Sequence, residues 1–181
     1  MSRFLETPRL IFRPLTAADA DGPYPGWLND AETCAGNSHH VYPYTREQAL
    51  EYIASVRGSK SSLVLAVTLK EDGRHVGNVS LQQIHPIHRN AELAILIGDA
   101  ACRGKGIGLE ASEAIIRHGF RTLNLRRVSF GTFEDNSGMR GIAAKLGFQQ
   151  EGVLRDQNFD GTQYHHVFCF GLLRNEWRFS P

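Results

Sequence analysis

Between Ala91 and Phe120 the chain reads AELAILIGDAACRGKGIGLEASEAIIRHGF, and no other stretch limits its fold so tightly. Ala91 to Ile97 is a short apolar run with the length and branching of a strand. Three glycines, Gly104, Gly106 and Gly108, then fall within five residues. Beyond them Ile107, Ala111, Ala114, Ile115 and His118 recur at helical spacing. A strand must therefore enter a helix through a glycine-rich turn, the arrangement that cradles phosphate groups. Glycines leave main-chain N–H groups unobstructed, and the helix N-terminus adds partial positive charge.

Two familiar phosphate turns do not fit. A P-loop sets four residues between its first glycine and Gly-Lys-Ser/Thr. Here five residues separate Gly98 from Gly104-Lys105, and Gly106 stands where a magnesium-binding hydroxyl belongs. The dinucleotide fingerprint asks for a third glycine where this chain has Leu109. What remains is Arg-x-x-Gly-x-Gly, Arg103 to Gly108.

The rest of the chain places that turn in a mixed α/β (α+β) fold. Strands are expected over Arg9–Leu15, Ser62–Leu69, His75–Ile84, Ala91–Ile97 and Arg127–Glu134, with a closing hairpin around Asp160-Gly161. Thr45 and Gln48 form a capping box for a helix over Arg46–Arg57, and a helix from Ser137 stops at Gly147. Pro23 and Pro25 break a short helical turn before them. Consecutive strands followed by alternating helices predict a mostly antiparallel central sheet of roughly seven strands, with helices on both faces. No repeat or linker divides residues 1–181, so one domain is expected.

Charge removes whole classes of partner. With 20 basic and 19 acidic side chains the formal net charge is +1, which gives no bulk attraction for nucleic acid or an anionic membrane. Cys34, Cys102 and Cys169 are odd in number and widely spaced, a pattern for free thiols and not for a disulfide framework or zinc site. The opening MSRFLETPRLIFRPL is interrupted by Arg3, Glu6, Arg9 and Arg13, unlike a signal peptide, and a cytoplasmic location is expected.

At Arg103 to Gly108 the chain resembles the GNAT superfamily of acetyl-CoA-dependent N-acetyltransferases, whose signature is Gln/Arg-x-x-Gly-x-Gly/Ala. ETPRLIFRPLTAADA is similar to the opening signature of the branch containing ribosomal-protein N-terminal acetyltransferases. FEDNSGMRGIAAKLGFQQEGVLRD and DGTQYHHVFCFGLLRNEW resemble the family's C-terminal motif and that branch's last hairpin. The resemblance implies a GNAT-like fold and acetyl-CoA as co-substrate. It implies that Arg103, Gly104, Lys105, Gly106, Ile107 and Gly108 hold the pyrophosphate. The strand ending at Ile97 and Gly98 would splay from its neighbour and pair with the pantetheine arm, with Gly98 admitting a close ligand. Asn136 would hydrogen-bond the same arm.

Acetylating an amine requires a polarised thioester, a neutral amine and a stabilised thiolate. Glu92, the sole acid in its strand, matches an acid common in the branch and would accept the ammonium proton through water; a solvated or ion-paired strand Glu is the plain alternative. Many family members carry a Tyr seven residues after the Asn, where this chain has Ala143. Tyr164 is then the nearest candidate acid toward the thiolate, and Cys102 is read as packing. His165 and His166, adjacent in a strand, point to opposite faces, and no metal is expected. Asn37, Ser38, His39, Tyr42 and Tyr44, before the second helix, would line the acceptor site. The acceptor is expected to be a small amine, such as an amino sugar, or a protein N-terminus, with a homodimer left open. The rival class is a non-catalytic module that binds and senses acyl-CoA.

Overall fold

The computed structural model describes residues 3–37 and 39–178, built around one eight-stranded sheet. Strand β1 (Leu5–Glu6) folds back onto β2 (Leu10–Pro14). A 3-10 turn over Ala17–Ala20 leads to helices α1 (Tyr24–Leu28), α2 (Ala31–Cys34) and α3 (Arg46–Val56). Strands β3 (Leu63–Leu69), β4 (His75–His85) and β5 (Asn90–Ile97) form an antiparallel meander. Then come α4 (Ile107–Arg121), β6 (Arg127–Phe133), α5 (Ser137–Leu146), β7 (Gln149–Phe159) and β8 (Tyr164–Leu173). Across the sheet the order is β1-β2-β3-β4-β5-β6-β8-β7, and only β5 and β6 run parallel.

The expected mixed, mostly antiparallel architecture is the one observed, with one strand more than foreseen. β1 is two residues long, too short to give a period-two signal. The prolines also act differently from expectation. Pro25 is the second residue of α1, where a missing N–H leaves no helical bond unmade, so it starts the helix instead of breaking it.

Strand alternation sorts the core into two layers. Leu63, Leu65, Val67 and Leu69 of β3 join Leu93 and Ile115 under α4 and α5. Val64 and Ala66 face the opposite layer with Trp27, Leu28, Ala49 and Ile53 of α1 and α3. Each fully buried leucine contributes about 1.5–3 kcal/mol of apolar burial. That layer is further held by a buried ion pair, in which Arg13 donates to both carboxylate oxygens of Asp19 at 2.8 and 2.6 Å.

The meander and the last three strands are joined along a short seam. Asn90, Ala91 and Glu92 pair with Arg127, Val128 and Ser129, and there the parallel pairing stops. From Leu93 to Ile97, β5 pairs only with β4, and from Phe130 to Phe133, β6 pairs only with β8. The sheet opens as a wedge whose narrow end is Glu92 and Ser129. Its wide end lies beside the glycine-rich turn.

Candidate functional site

The turn is shaped for an anion. Gly104 and Gly106 have φ of 71° and 78°, in the left-handed region, and alternation of this kind turns successive N–H groups to one side. Among the described residues the N–H groups of Gly104, Lys105, Gly106, Ile107, Gly108 and Leu109 have no protein acceptor; the helical ladder begins with Glu110 donating to Gly106. Six consecutive donors at the start of a fifteen-residue helix favour negative charge. Gly108 faces Ile142 of α5 and Ile97, 3.5 and 3.6 Å from where a Cβ would sit, an ordinary contact distance.

Side chains in the turn do less than the backbone. Ile107 is buried in the core. Arg103 folds back on the strand end, donating to the carbonyls of Ile97 and Gly98 at 3.1 and 3.2 Å and to Thr33 Oγ1 at 2.6 Å. Its N–H is occupied by Ala100. Arg103 thus braces the turn, and the anion donors begin one residue later.

Gly98 departs from expectation. Its N–H donates to Val76, and a Cβ on it would lie 1.9 Å from the indole of Trp27. The absent side chain makes room for this tryptophan on the α1 face. Trp27 is in turn flanked by the rings of His75 and Tyr24 at 5.0 and 6.5 Å.

Asn136 likewise has a local duty. Its Oδ1 accepts from Met139 as the N-cap of α5, and its Nδ2 lies 3.4 Å from the Gly36 carbonyl. It ties the loop before α3 to the mouth of the wedge.

At the narrow end Glu92 is partly buried and accepts a bond from Gln83 Nε2 at 2.9 Å. By strand alternation it faces the α1–α3 side with Leu96, whereas Leu93, Ile95 and Ile97 face α4 and α5. The glycine-rich turn and Glu92 therefore bracket the unpaired stretch, roughly 17 Å apart along the strand. Ala143 lies on the buried face of α5 and its side chain offers no donor. Two hydroxyls in this region, Ser112 of α4 and Thr132 of β6, are buried without a hydrogen-bond partner among the described residues.

Tyr164 does not reach the narrow end. Ser129 pairs with Gly171 of β8, and Tyr164 stands seven residues further along that strand. That is roughly 23 Å at the usual rise. It is 64% exposed and packs on Phe159 at the tip of the last hairpin, so the expectation of an acid role is corrected.

The loop before α3 divides in two. Tyr44 packs inward, its ring 6.0 Å from that of Tyr24 and its main chain bonded both ways to Asn29. Asn37 accepts from the N–H of His39 within the loop. His39 and Tyr42 are exposed, and Ser38 lies outside the described residues. The histidines of β8 face opposite ways as expected. His165 is buried, stacked on Phe133 and bonded to Asp160 at 2.6 Å, which raises its affinity for a proton; His166 is half-buried. Among the described residues no group of three or more His, Cys, Asp or Glu gathers as a metal site.

Sequence reasoning missed Trp27, Gln83 and the contacts of Thr7 and Arg9 with Glu110, all set by the tertiary fold. The glycine at position 98 was the available signal for a large neighbour.

Comparison with known proteins bears on the family and the fold. The family model described as acetyltransferase (GNAT) domain matches residues 9–149. The uncharacterized N-acetyltransferase YoaA of Bacillus subtilis is 29% identical over 168 residues, covering 91% of this chain and 93% of that protein. The ribosomal-protein-serine acetyltransferase of Escherichia coli is 32% identical over 104 residues, 58% of this chain and 57% of that one. In fold, the chain is similar to the spermidine N-acetyltransferase of Vibrio cholerae, solved with CoA and spermine. The TM-score is 0.84 at 22% identity, covering 94% of this chain and 98% of that one.

Proposed function

The chain belongs to the GNAT acetyltransferases, and from that premise we propose that it transfers acetyl from acetyl-CoA directly to a primary amine held on the α1–α3 face of the wedge. The observation that carries this reading is the run of unpaired N–H groups from Gly104 to Leu109 at the wide end of a wedge that closes on Glu92. The residues present fit coenzyme A: six donors for a diphosphate, then strand edges stripped of their β partners for an amide-bearing arm. Bound there, the co-substrate would supply, as its thioester, the acetyl group to be transferred.

The chain's own residues do the rest. N–H groups of Gly104 to Leu109 hold the diphosphate. Alternate main-chain groups of Leu93 to Ile97, left without a β6 partner, pair with the arm and present an N–H to the thioester oxygen. Glu92, oriented by Gln83, takes a proton from the incoming ammonium, directly or through water. The neutral nitrogen attacks the acyl carbon and the C–S bond breaks. With Ala143 in place of a donor, the second proton of the nitrogen passes to the sulfur. His39 and Tyr42, exposed on the loop before α3, are the side chains available to meet the acceptor.

The acceptor class is a small amine or a protein N-terminus; the polyamine and ribosomal-protein substrates of the relatives bracket both. Residence in the cytoplasm accords with three free cysteines. The test is release of free thiol from acetyl-CoA across polyamines, amino sugars and peptides with free N-termini. Turnover with one class supports the proposal. Tight coenzyme A binding without thiol release from any amine would return the chain to the sensing role.

A further inference from the structure

The Thr7-Pro8-Arg9 stretch, part of the opening signature, has no place in the reaction above. It nevertheless reaches across about a hundred positions to the glycine-rich turn. Glu110 stands in the first turn of α4, where a bare carboxylate would repel an anion held by the preceding N–H groups. It is not bare. Thr7 Oγ1 and the Arg9 N–H donate to its Oε1 at 2.5 and 3.0 Å, and Arg9 Nε donates to its Oε2 at 2.6 Å. Burial pushes this carboxyl up, yet Thr7 and Arg9 hold it below its ordinary value.

The same guanidinium continues into the turn. Nη1 donates to the Lys105 carbonyl at 2.9 Å, which ties the guanidinium to the turn. Nη2 has no partner among the described residues and lies 3.4 Å from where a Cβ on Gly106 would sit. Half of the Arg9 side chain is exposed.

We propose that Arg9 is a positioning residue for the diphosphate of coenzyme A. It cancels the Glu110 carboxylate at the helix start, pins the turn through Lys105, and leaves one N–H arm facing the phosphates. This inference rests on the turn being the coenzyme A site.

The full chain and the variants R9Q, R9K and R9Q/E110Q are titrated with coenzyme A and with pantetheine, the same arm without phosphates, and followed by protein NMR shifts. Arg9→Gln is expected to weaken coenzyme A about tenfold, equivalent to about 1.4 kcal/mol, and to leave pantetheine within about twofold. Adding Glu110→Gln should recover most of the loss, because the repelling charge is gone. Arg9→Lys keeps the charge but not both arms, and should weaken coenzyme A about threefold. Should Arg9→Gln fail to fold, the lysine variant decides alone. Coenzyme A affinity within twofold of the unsubstituted chain, or equal losses for coenzyme A and pantetheine, would overturn the proposal. Failure of the unsubstituted chain to bind coenzyme A would instead remove the acetyltransferase reading beneath it.

Discussion

Gly98→Ala is the substitution whose outcome the packing fixes best. The added methyl would sit 1.9 Å from Cδ2, 2.2 Å from Cγ and 2.3 Å from Cε2 of Trp27. Carbon atoms in contact need about 3.5 Å, so the indole must retreat by roughly 1.6 Å. Trp27 is buried, and the rings of His75 and Tyr24 stand 5.0 and 6.5 Å from its own, so the indole cannot retreat without moving a neighbour. Overpacking usually costs about 1–3 kcal/mol, and a rigid ring hemmed in by two others belongs at the top of that range. In a chain of this length, about 3 kcal/mol lowers Tm by roughly 6–12 °C. Urea unfolding of Gly98→Ala, Trp27→Leu and the double variant forms the assay. Once the indole is gone the methyl fills vacated space, and the cost of Gly98→Ala should fall below about 1 kcal/mol. A loss under about 1 kcal/mol in the parent, or the same loss in both backgrounds, would refute the assignment of Gly98 to Trp27.

Three further outcomes follow from the geometry. Arg13→Met leaves Asp19 buried without its partner and should cost about 3–5 kcal/mol in urea unfolding. Burial pushes the Asp19 carboxyl up, but Arg13, His75 and the Thr16 N–H hold it well below the usual carboxylate range. Its contribution is therefore present above the unfolded-state value near pH 4 and is lost as pH falls further; a parent chain no less stable at pH 3 than at pH 7 would contradict this. Glu92→Gln should lower kcat by about 10²–10⁴-fold in thiol-release assays while coenzyme A affinity holds, and undiminished turnover would remove Glu92 as the base. Gly106→Val forces a branched residue to φ of 78° at the head of α4; calorimetry should show coenzyme A binding weakened at least about tenfold, with about 1–2 kcal/mol of strain in the fold.

What could be read in advance was local. The capping box of Thr45 and Gln48 forms as its spacing suggested, with Gln48 Oε1 accepting from the Thr45 N–H at 2.8 Å. Gly147 ends α5 in the left-handed conformation at φ of 82°. Such signals lie within one turn of chain, where residue type and backbone geometry are directly coupled. The glycine-rich turn was legible for the same reason. Illegible were relations between distant residues: Trp27 against Gly98, Arg9 around Glu110, Gln83 on Glu92. Asn136 shows the limit from the other side. A residue type that suits both a ligand contact and a helix cap cannot declare its use before its neighbours are in place, and here the cap took its Oδ1.

The seam between β5 and β6 has a mechanical consequence. Three residue pairs stitch the meander to the last three strands, so the two halves are held together chiefly by what α4 and α5 bridge behind them. A molecule lying in the gap would act as a mortar joint, completing the missing rungs on both sides at once. Its release would leave both edges bare again from Leu93 and Phe130 onward, with the joint resting on its three pairs.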